Sequence, residues 1–539
     1  MQRNPIILIA FLEQDNLGVG YIASLLLKNK IDVKIIDFRL GNKGILEHIR
    51  FYNPLVVGFS IIFQYHIYDF RNLVNYLRIN EVNSHFSAGG HYPSLRYKEL
   101  LDIIPELDSV VLFEGENTFL ELVQSIRSDN RWKEIRGIAC KSGSSVITNE
   151  LRPLERDLDL FPPPVRQPLK EYAFGKKYAT LVAGRGCYYN CSFCSIREFY
   201  SKPPGAIKRL RRPEMVVREM ELIHQKLGGS VFMFQDDDFP VASKKGNEWV
   251  TTFCELLTKK ELDCKIMWKI NCRPDEIEKD LFRLMRDSGL FLVYLGIESG
   301  TDDGLRFMNK RMNVETTINA IRILKELDIK YDFGFMLFHP TSTFRSISEN
   351  LEFLMEICGD GSSPITFCKM LPYAETKVEF QLKKEGRLTG GVGFENYDFL
   401  DPSLNKLYSF LTDCYSEWIS HHDGLLNMAR WARYYISVYN KYHQKTSEID
   451  NIENEVIKCV SQSNHFLLDT VKSLVTMFSK EWRQESHSNQ LKIIRESVVS
   501  NHIKFKSRLT RIMNEFDGMV KTVPGVQAGD EMVENQVIS

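Results

Sequence analysis

The stretch GRGCYYNCSFCSI, residues 184–196, decides how the rest of the chain is interpreted. It places Cys187, Cys191 and Cys194 at C-x3-C-x2-C spacing, directly after a strand-like apolar run. Thiolates ligate iron in iron–sulfur clusters, which usually take four of them. Because no fourth cysteine lies nearby, this pattern predicts a [4Fe–4S] cluster with one iron left open to chelate a small molecule. The alternative is a structural zinc site, which would usually need a fourth Cys or His, and the nearest downstream histidine is His224.

The composition excludes several classes of protein. The chain has 539 residues, of which 43% are hydrophobic and 26% charged, which is typical of a soluble globular protein with several domains. Its formal net charge of -1 gives no indication of nucleic-acid binding. No apolar run is long enough to span a bilayer. The 11 cysteines are scattered and odd in number, which argues against a disulfide framework and predicts a reducing, cytoplasmic location.

Residues 1–130 alternate strand and helix patterns, which predicts a doubly wound, Rossmann-like (flavodoxin-like) α/β domain. The five predicted strands are PIILIAFL (5–12), IDVKIIDF (31–38), LVVGFSIIF (55–63), HFSAGG (85–90) and SVVLFEGE (109–116). Residues 131–177 contain a hairpin-like stretch and a proline cluster, and they are predicted to form a linker.

Strand and helix patterns alternate again in residues 178–396, which predicts an open or partial barrel. The predicted strands are ATLVAGR (179–185), SVFMFQDDD (230–238), KIMWKINC (265–272), FLVYLGIES (291–299), YDFGFMLF (331–338) and ITFCKML (365–371). Residues 397–517 have only helical patterns, and their aromatic residues fall at helical spacings typical of a core. Residues 518–539 carry few apolar side chains and are predicted to be a flexible tail.

The cysteine motif resembles the signature of the radical S-adenosylmethionine (SAM) superfamily, including the aromatic Phe193 before the last cysteine. Further stretches resemble the subgroup with an N-terminal cobalamin (vitamin B12)-binding domain, in the same order and spacing. These stretches are RLRRPEMVVREM (209–220), FQDDDF (234–239), NCRPDEI (271–277) and LGIESGTDDGLRFMNK (295–310). The first of them departs from the subgroup's pattern, because Arg212 stands where a serine is usual. The resemblance implies a partial (β/α)6 barrel with its site at the carboxyl ends of the strands.

The resemblance also implies a set of contacts with SAM. Asp236 and Asp237 would hold the SAM ammonium, although side-chain alternation lets at most two of the three adjacent aspartates face one site. Glu298 and Ser299 would meet the ribose or the carboxylate, and Phe193 would lie against SAM. Arg273 would pair with the SAM carboxylate or, alternatively, form a structural salt bridge.

His339 ends the fifth barrel strand, where relatives carry glycine before proline. It is interpreted either as an acid, base or substrate contact or as a structural histidine.

The first domain resembles the cobalamin-binding domain of that subgroup through PLVVGFS (54–60), SAGGHYPS (87–94) and LFEGENTF (112–119). Glycines at strand ends permit close approach to a flat macrocycle. The candidate contacts are Ser60, Gly89, Gly90, His91 and Gly115. The D-x-H-x-x-G motif, whose histidine ligates cobalt, is absent. Two alternatives therefore stay open: cobalamin binds without a histidine ligand, or the domain is a structural relic.

These features together predict an enzyme that cleaves SAM reductively to a 5′-deoxyadenosyl radical. The resemblance favours a cobalamin-dependent methyltransferase that acts on an unactivated carbon of an unknown small molecule, lipid or peptide. It implies an external electron donor such as a flavodoxin or ferredoxin, and it gives no indication of nucleic acid or of a membrane span. The alternatives are a radical SAM cyclase, oxidoreductase or rearrangement enzyme, and a non-catalytic iron–sulfur binding or sensing protein.

Overall fold

The structure is a computed structural model that describes residues 4–13, 15–241, 243–480 and 484–521, with the side chains of 484–487 left out. The chain divides into two compact units. The first unit comprises the residues up to 168 together with 183–215 and 371–397. The second unit comprises residues 169–182, 216–370 and those from 398 onward.

The bounds of the regular elements follow in chain order. The strands are β1 (Ile6–Ala10), β2 (Val33–Asp37), β3 (Val56–Ser60), β4 (His85–Gly89), β5 (Ser109–Val111), β6 (Ile138–Ser142), β7 (Ser145–Thr148), β8 (Glu171–Ala173), β9 (Lys176–Leu181), β10 (Gly184–Arg185), β11 (Arg209–Leu210), β12 (Gly229–Phe234), β13 (Met267–Cys272), β14 (Leu290–Glu298), β15 (Lys330–Phe335), β16 (Leu388–Thr389) and β17 (Asn396–Tyr397). The helices are α1 (Leu17–Lys28), α2 (Gly41–Tyr52), α3 (Ile67–Ile79), α4 (His91–Leu95), α5 (Tyr97–Ile103), α6 (Glu116–Arg127), α7 (Ile196–Ser201), α8 (Pro213–Leu227), α9 (Lys244–Lys259), α10 (Lys279–Asp287), α11 (Asp302–Phe307), α12 (Val314–Glu326), α13 (Phe344–Cys358), α14 (Lys377–Lys384), α15 (Pro402–Tyr415), α16 (Leu425–Tyr442), α17 (Ser447–Phe478) and α18 (Gln484–Lys521).

The first unit is built on one sheet with the strand order β2-β1-β3-β4-β5-β6-β7. The strands β1 to β5 are parallel, and the hairpin β6–β7 continues the sheet antiparallel. Both faces are covered, since Ile7 and Ile9 of β1 belong to one buried cluster while Ile6 and Leu8 belong to another. The predicted doubly wound domain is therefore confirmed. The hairpin in the predicted linker extends the same sheet.

The second unit is built on a sheet with the strand order β15-β14-β13-β12-β9-β8. Five of these strands, β9 and β12 to β15, are parallel, and β8 pairs antiparallel at the edge. The predicted sixth strand, residues 365–371, is wrong as a strand. It contacts the end of β15, where the amide of Cys368 donates to the carbonyl of Phe335 at 2.9 Å, and it forms one isolated bridge between Phe338 and Lys369 without a continuous ladder. The partial-barrel class of the sheet is nevertheless confirmed.

The chain after β17 is helical, as predicted. Trp418 is buried and its ring stacks on Phe466, so that aromatic pair belongs to the core of the helices. The helix α18 continues to Lys521, past the predicted start of the tail at residue 518. Residues 522–539, the rest of the predicted tail, lie outside the described residues. Within the described part of the chain, no helix is long and apolar enough to cross a membrane.

Candidate functional site

The loop that carries the three cysteines is held at both ends. Before the loop, β10 pairs antiparallel with β11, and Gly186 follows with a φ of 82°. A Cβ atom at Gly186 would collide with the carbonyl oxygen of Ile207. Within the loop, the amide of Cys194 donates to the carbonyl of Cys191 at 3.3 Å, and the amide of Val378 donates to the carbonyl of Ser192 at 3.1 Å. The backbone around the cysteines is therefore fixed by hydrogen bonds and by a close contact that requires glycine.

The three cysteines themselves are half-buried, so they are accessible without being solvent-exposed. The remaining cysteines are mostly buried, and burial raises the pKa of Cys254 to about 12, as expected for an inert thiol. Among the described residues, no three His, Cys, Asp or Glu side chains converge enough to hold a single metal ion. A cluster makes a different demand, because each thiolate binds a separate iron. Three half-buried thiols on one fixed loop fit that demand.

A buried ion network lies in front of the cysteine loop. Arg185 binds Glu114 at 3.1 Å and Glu116 at 2.6 Å, and Arg209 binds the other oxygen of Glu114 at 2.8 Å. Burial alone would raise the pKa of Glu114, but the two guanidinium groups outweigh burial and hold that pKa below its usual value. The FEGE stretch that suggested a cobalamin domain therefore also fixes the strand that leads into the cysteine loop. Sequence reasoning missed this role, since the partners lie far apart in the chain.

His91 begins α4, directly after Gly90. Its Nε2 atom lies 2.9 Å from the hydroxyl of Ser195, the residue after Cys194, and its ring stacks on Phe199 at 4.7 Å. Burial lowers the pKa of His91 to about 4, so the ring is neutral at pH 7. The strand ends of the first sheet thus contact the cysteine loop within the first unit.

The other candidate cobalamin contacts also lie at the carboxyl ends of neighbouring strands. Ser60 ends β3, Gly89 ends β4, and Gly115 precedes α6 just after β5. Gly90 has a φ of 117°, and a Cβ there would lie 2.5 Å from the carbonyl oxygen of Ile61. All four candidates are half-buried rather than covered. This edge offers little side-chain bulk, which fits a flat macrocycle lying against it.

In the second unit, the three aspartates after β12 alternate. Asp236 and Asp238 are buried, whereas Asp237 is exposed. The backbone carbonyl of Asp236 accepts a hydrogen bond from Asn271 at 3.3 Å. Asp236 is therefore buried together with Asp238, which the sequence analysis did not select, and Asp237 is not; the contact of Asp236 with SAM stays a prediction.

Arg273 is buried, and its guanidinium binds the carboxylate of Asp275 through two contacts of 2.8 and 2.9 Å. The same guanidinium also donates to the carbonyl of Lys310. This bidentate pair favours the structural alternative for Arg273 over a contact with the SAM carboxylate.

Glu298 ends β14 in a left-handed conformation with a φ of 69°. Lys310 lies 3.7 Å from its carboxylate. Burial raises the pKa of Glu298, and the nearby charges of Lys310 and Arg273 only partly offset that effect. A Cβ at Gly296 would lie 3.0 Å from the Glu298 carboxylate. The carboxylate therefore lies directly over the backbone of a residue that has no side chain. A half-buried carboxylate with a single lysine nearby is a fitting acceptor for a polar ligand. The sequence analysis did not single out Lys310.

Ser299 and His339 are both fully buried. The Ser299 hydroxyl lies 3.3 Å from the side-chain oxygen of Asn350, which also accepts from the amide of Gly300 at 2.6 Å. These bonds give Ser299 a role in shaping the turn. His339 stacks on Phe307 at 5.2 Å, and burial lowers its pKa to about 4.

The chain matches two family models in the order that the sequence analysis predicts. Residues 6–123 match the B12 binding domain, and residues 181–354 match the radical SAM superfamily. The chain is 27% identical over 405 residues to an uncharacterized methyltransferase of Pyrococcus horikoshii, with 74% of this chain and 84% of that protein covered.

The chain is also similar to a second enzyme over about half of its length and to a solved structure over nearly all of it. The chain is 28% identical over 275 residues to the anaerobic magnesium-protoporphyrin IX monomethyl ester cyclase of Cereibacter sphaeroides, with 48% of this chain and 43% of the cyclase covered. The solved structure of the cobalamin-dependent S-adenosylmethionine radical enzyme OxsB has a TM-score of 0.68 and 16% identity, with 96% of this chain and 81% of that chain covered. At this identity the likeness to OxsB concerns the fold. The chain therefore carries a radical SAM domain and, ahead of it, a B12-binding domain.

Proposed function

We propose that the protein is a cobalamin-dependent radical SAM methyltransferase that methylates an unactivated carbon. One observation carries the proposal: within the first unit, His91 of the predicted cobalamin edge lies 2.9 Å from Ser195, the residue that follows Cys194. The edge suited to a macrocycle and the loop suited to a cluster are thus joined by a direct contact. The similarity to the Pyrococcus horikoshii methyltransferase supports methyl transfer as the outcome.

In this proposal Cys187, Cys191 and Cys194 hold a [4Fe–4S] cluster, and Phe193 lies against SAM. Asp236, Asp237, Glu298 and Ser299 are the proposed SAM contacts. Arg273, which the sequence analysis also predicts as a SAM contact, is assigned the structural alternative because its guanidinium is paired with Asp275. Glu298 is the strongest of the proposed contacts, because its carboxylate is half-buried and the nearby charges of Lys310 and Arg273 only partly offset the effect of burial. When bound, the cluster and the two cofactors supply the electron, the radical and the methyl group. The chain orients them and excludes water.

The cobalamin contacts in this proposal are Ser60, Gly89, Gly90, His91 and Gly115. His91 is a positioning residue that ties the sheet edge to the cysteine loop, since its Nε2 atom already lies beside Ser195. The domain division into residues 1–130, 131–177, 178–396, 397–517 and 518–539 belongs to the same proposal. So do an external flavodoxin or ferredoxin as electron donor and a cytoplasmic location.

The test uses the full chain, reconstituted anaerobically with iron, sulfide and cobalamin, then reduced and given SAM labelled in its methyl group. Extract of the source organism supplies substrate. We expect release of 5′-deoxyadenosine together with a product that contains the labelled methyl group. Labelled methyl in no product, with 5′-deoxyadenosine still released, would contradict methyl transfer.

A second candidate is a radical SAM cyclase, oxidoreductase or rearrangement enzyme, which the similarity to the Cereibacter sphaeroides cyclase favours. It would release 5′-deoxyadenosine and change the substrate without adding label. An iron–sulfur sensing protein would bind the cluster and release no 5′-deoxyadenosine. The same experiment therefore separates all three functions.

A further inference from the structure

A cavity of about 50 Å³ lies inside the second unit, between the sheet and α16. Lys269 of β13, Tyr294 of β14 and Asp332 of β15 line it from the sheet. Arg430 and Trp431 of α16 line it from the other side. The predicted SAM and cobalamin contacts do not include any of these residues. The cavity has room for a small group such as a carboxylate or a few water molecules.

Tyr294, which lines the cavity, lies on the same strand as Glu298. Tyr294, Gly296 and Glu298 alternate on one face of that strand, and none of them is fully covered, with Tyr294 38% exposed. A Cβ at Gly334 would lie 3.0 Å from the hydroxyl of Tyr294 and 3.4 Å from the carboxylate of Glu298. Both side chains therefore lie close over the bare backbone of Gly334, which brings the Tyr294 hydroxyl and the Glu298 carboxylate to neighbouring positions.

Positive charge exceeds negative charge around the cavity. Lys269 is buried, and its ammonium donates to the uncharged side-chain oxygen of Asn271 at 2.6 Å. Asp332 is engaged by Arg433 at 3.1 Å, with Arg430 at 3.6 Å. One carboxylate thus faces three cationic groups. Buried charge without a matching partner is costly, so such a site is suited to an anion.

Two further observations suit an anion at this position. Burial lowers the pKa of Lys269 to about 8, and Asp332 counteracts that effect only in part. The Nε atom of Arg430 is buried, and it lies 3.6 Å from the carboxylate of Asp332, beyond hydrogen-bond distance, with no acceptor closer to it among the described residues that makes a hydrogen bond. Charged side chains that are buried and under-satisfied in this way are uncommon away from functional sites.

We propose that this cavity binds a carboxylate of the substrate between Lys269 and Arg430, with the apolar part of the substrate lying along β14 toward Glu298. The inference rests on the proposed function, because it assigns the far end of the same substrate. A carboxylate fits the volume of the cavity, and the surrounding Met233, Leu292 and Trp431 suit an apolar body.

The test uses the full reconstituted protein, oxidised and without SAM, with benzoate as the anionic probe and benzamide as its neutral match. We expect benzoate to bind and benzamide to bind at least about tenfold more weakly, since a charged hydrogen bond contributes that much. Lys269→Met and Arg430→Met should each weaken benzoate binding about tenfold or more. Lys177→Met, at an exposed position of β9, and Arg322→Met, at an exposed position of α12, are the matched controls. Equal binding of the two probes, or unchanged benzoate affinity in Lys269→Met, would overturn the proposal.

Folding and pH separate this role from a structural one. Replacing an under-satisfied buried ammonium by methionine should leave the melting temperature unchanged or raise it. A sharp fall in melting temperature would make Lys269 structural and overturn the proposal. Benzoate affinity should fall as the pH rises through about 8, where Lys269 loses its proton. The titratable or charged groups that face Lys269 across the cavity are Tyr172, Tyr294, Asp332, Arg430 and Tyr434.

The two proposals fail in different ways. Benzoate binding is measured without reductant or SAM, so it does not depend on radical chemistry. Release of 5′-deoxyadenosine together with absent benzoate binding would overturn the carboxylate site alone. Benzoate binding that depends on Lys269, in a protein that transfers no methyl group, would keep the site and remove the methyltransferase.

Discussion

The Nε2 atom of His91 lies 2.9 Å from the hydroxyl of Ser195. This contact joins the carboxyl edge of the first sheet to the residue that follows Cys194. Within the first unit, the proposed cobalamin-binding edge and the proposed cluster-binding loop are therefore in direct contact. A substitution at His91 is therefore expected to alter the position of the cysteine loop, and a substitution at Ser195 to alter the edge of the sheet.

Replacing Cys187, Cys191 and Cys194 together by alanine should abolish iron binding. The unchanged protein should bind about four iron and four sulfide per chain after anaerobic reconstitution. Iron and sulfide analysis and the visible absorption spectrum provide the measurement. Cys264→Ala, which removes an exposed thiol, is the control and should retain the full complement. Full iron content in the triple variant would show that other residues are the ligands.

Gly186→Ala should lower the iron content by about half or more, because it forces a side chain onto a strained backbone and against Ile207. The residue directly precedes Cys187, so the displaced backbone is that of the cysteine loop. Gly143→Ala is the matched control, since Gly143 also has a positive φ, of 62°, but has no atom within 4 Å of the added Cβ. Equal iron content in the two variants would contradict the prediction.

Glu298→Gln should weaken SAM binding about tenfold or more while leaving the cluster intact, because an ionised acceptor is lost and no iron ligand is touched. Burial raises the pKa of Glu298, so its ionised form weakens folding as the pH rises above the ordinary value of 4.5. Glu298→Gln should therefore have a melting temperature at pH 7 that is equal to or higher than that of the unchanged protein. Equilibrium binding of SAM and iron analysis decide the matter. Unchanged SAM affinity would remove Glu298 from the site.

His91→Gln should make the protein less sensitive to acid. The pKa of His91 falls from 6.5 to about 4 on burial, so the unfolded chain takes up a proton first as the pH drops. The resulting loss of unfolding free energy is about 3 kcal/mol between pH 6.5 and 4. Urea unfolding at both pH values measures this loss of unfolding free energy. The loss should be smaller in His91→Gln than in the unchanged protein. His48→Gln, at an exposed position, should behave as the unchanged protein does.

The same variant tests the cobalt ligand. His91 already lies beside Ser195, so the cobalt(II) resonance of the cobalamin-loaded protein should lack splitting from an axial nitrogen. Splitting that disappears in His91→Gln would refute a histidine-free cobalt. Absence of cobalamin binding, with an intact cluster, would instead favour a relic domain.

The parts of the fold that sequence alone predicted are those with a local signal. The buried apolar runs of β1 and β3 read directly as parallel strands, and the cysteine spacing stands out without any structure. The pairing of Glu114 with Arg185 could not be predicted, because nothing in either segment specifies a partner about 70 residues away. The burial of Ser299 is likewise a result of packing against Asn350.

One site difference did have a local signal. Side chains alternate along an extended backbone, so the selection of neighbouring Asp236 and Asp237 placed them on opposite sides. The structure buries Asp236 with Asp238 and leaves Asp237 exposed. The sixth barrel strand was wrong for a different reason, since its composition suits a strand but it forms only an isolated bridge with its neighbour.

The left-handed backbone of Glu298 has a consequence for the evolution and engineering of this protein. A φ of 69° costs a residue with a side chain about 1 kcal/mol or more, and glycine would avoid that cost. Removing the buried carboxylate would add further stability. Selection for heat resistance alone is therefore expected to replace Glu298 by glycine and to yield a more stable protein that, under the proposed function, binds SAM less tightly. The residue marks a position where durability and activity are in direct conflict.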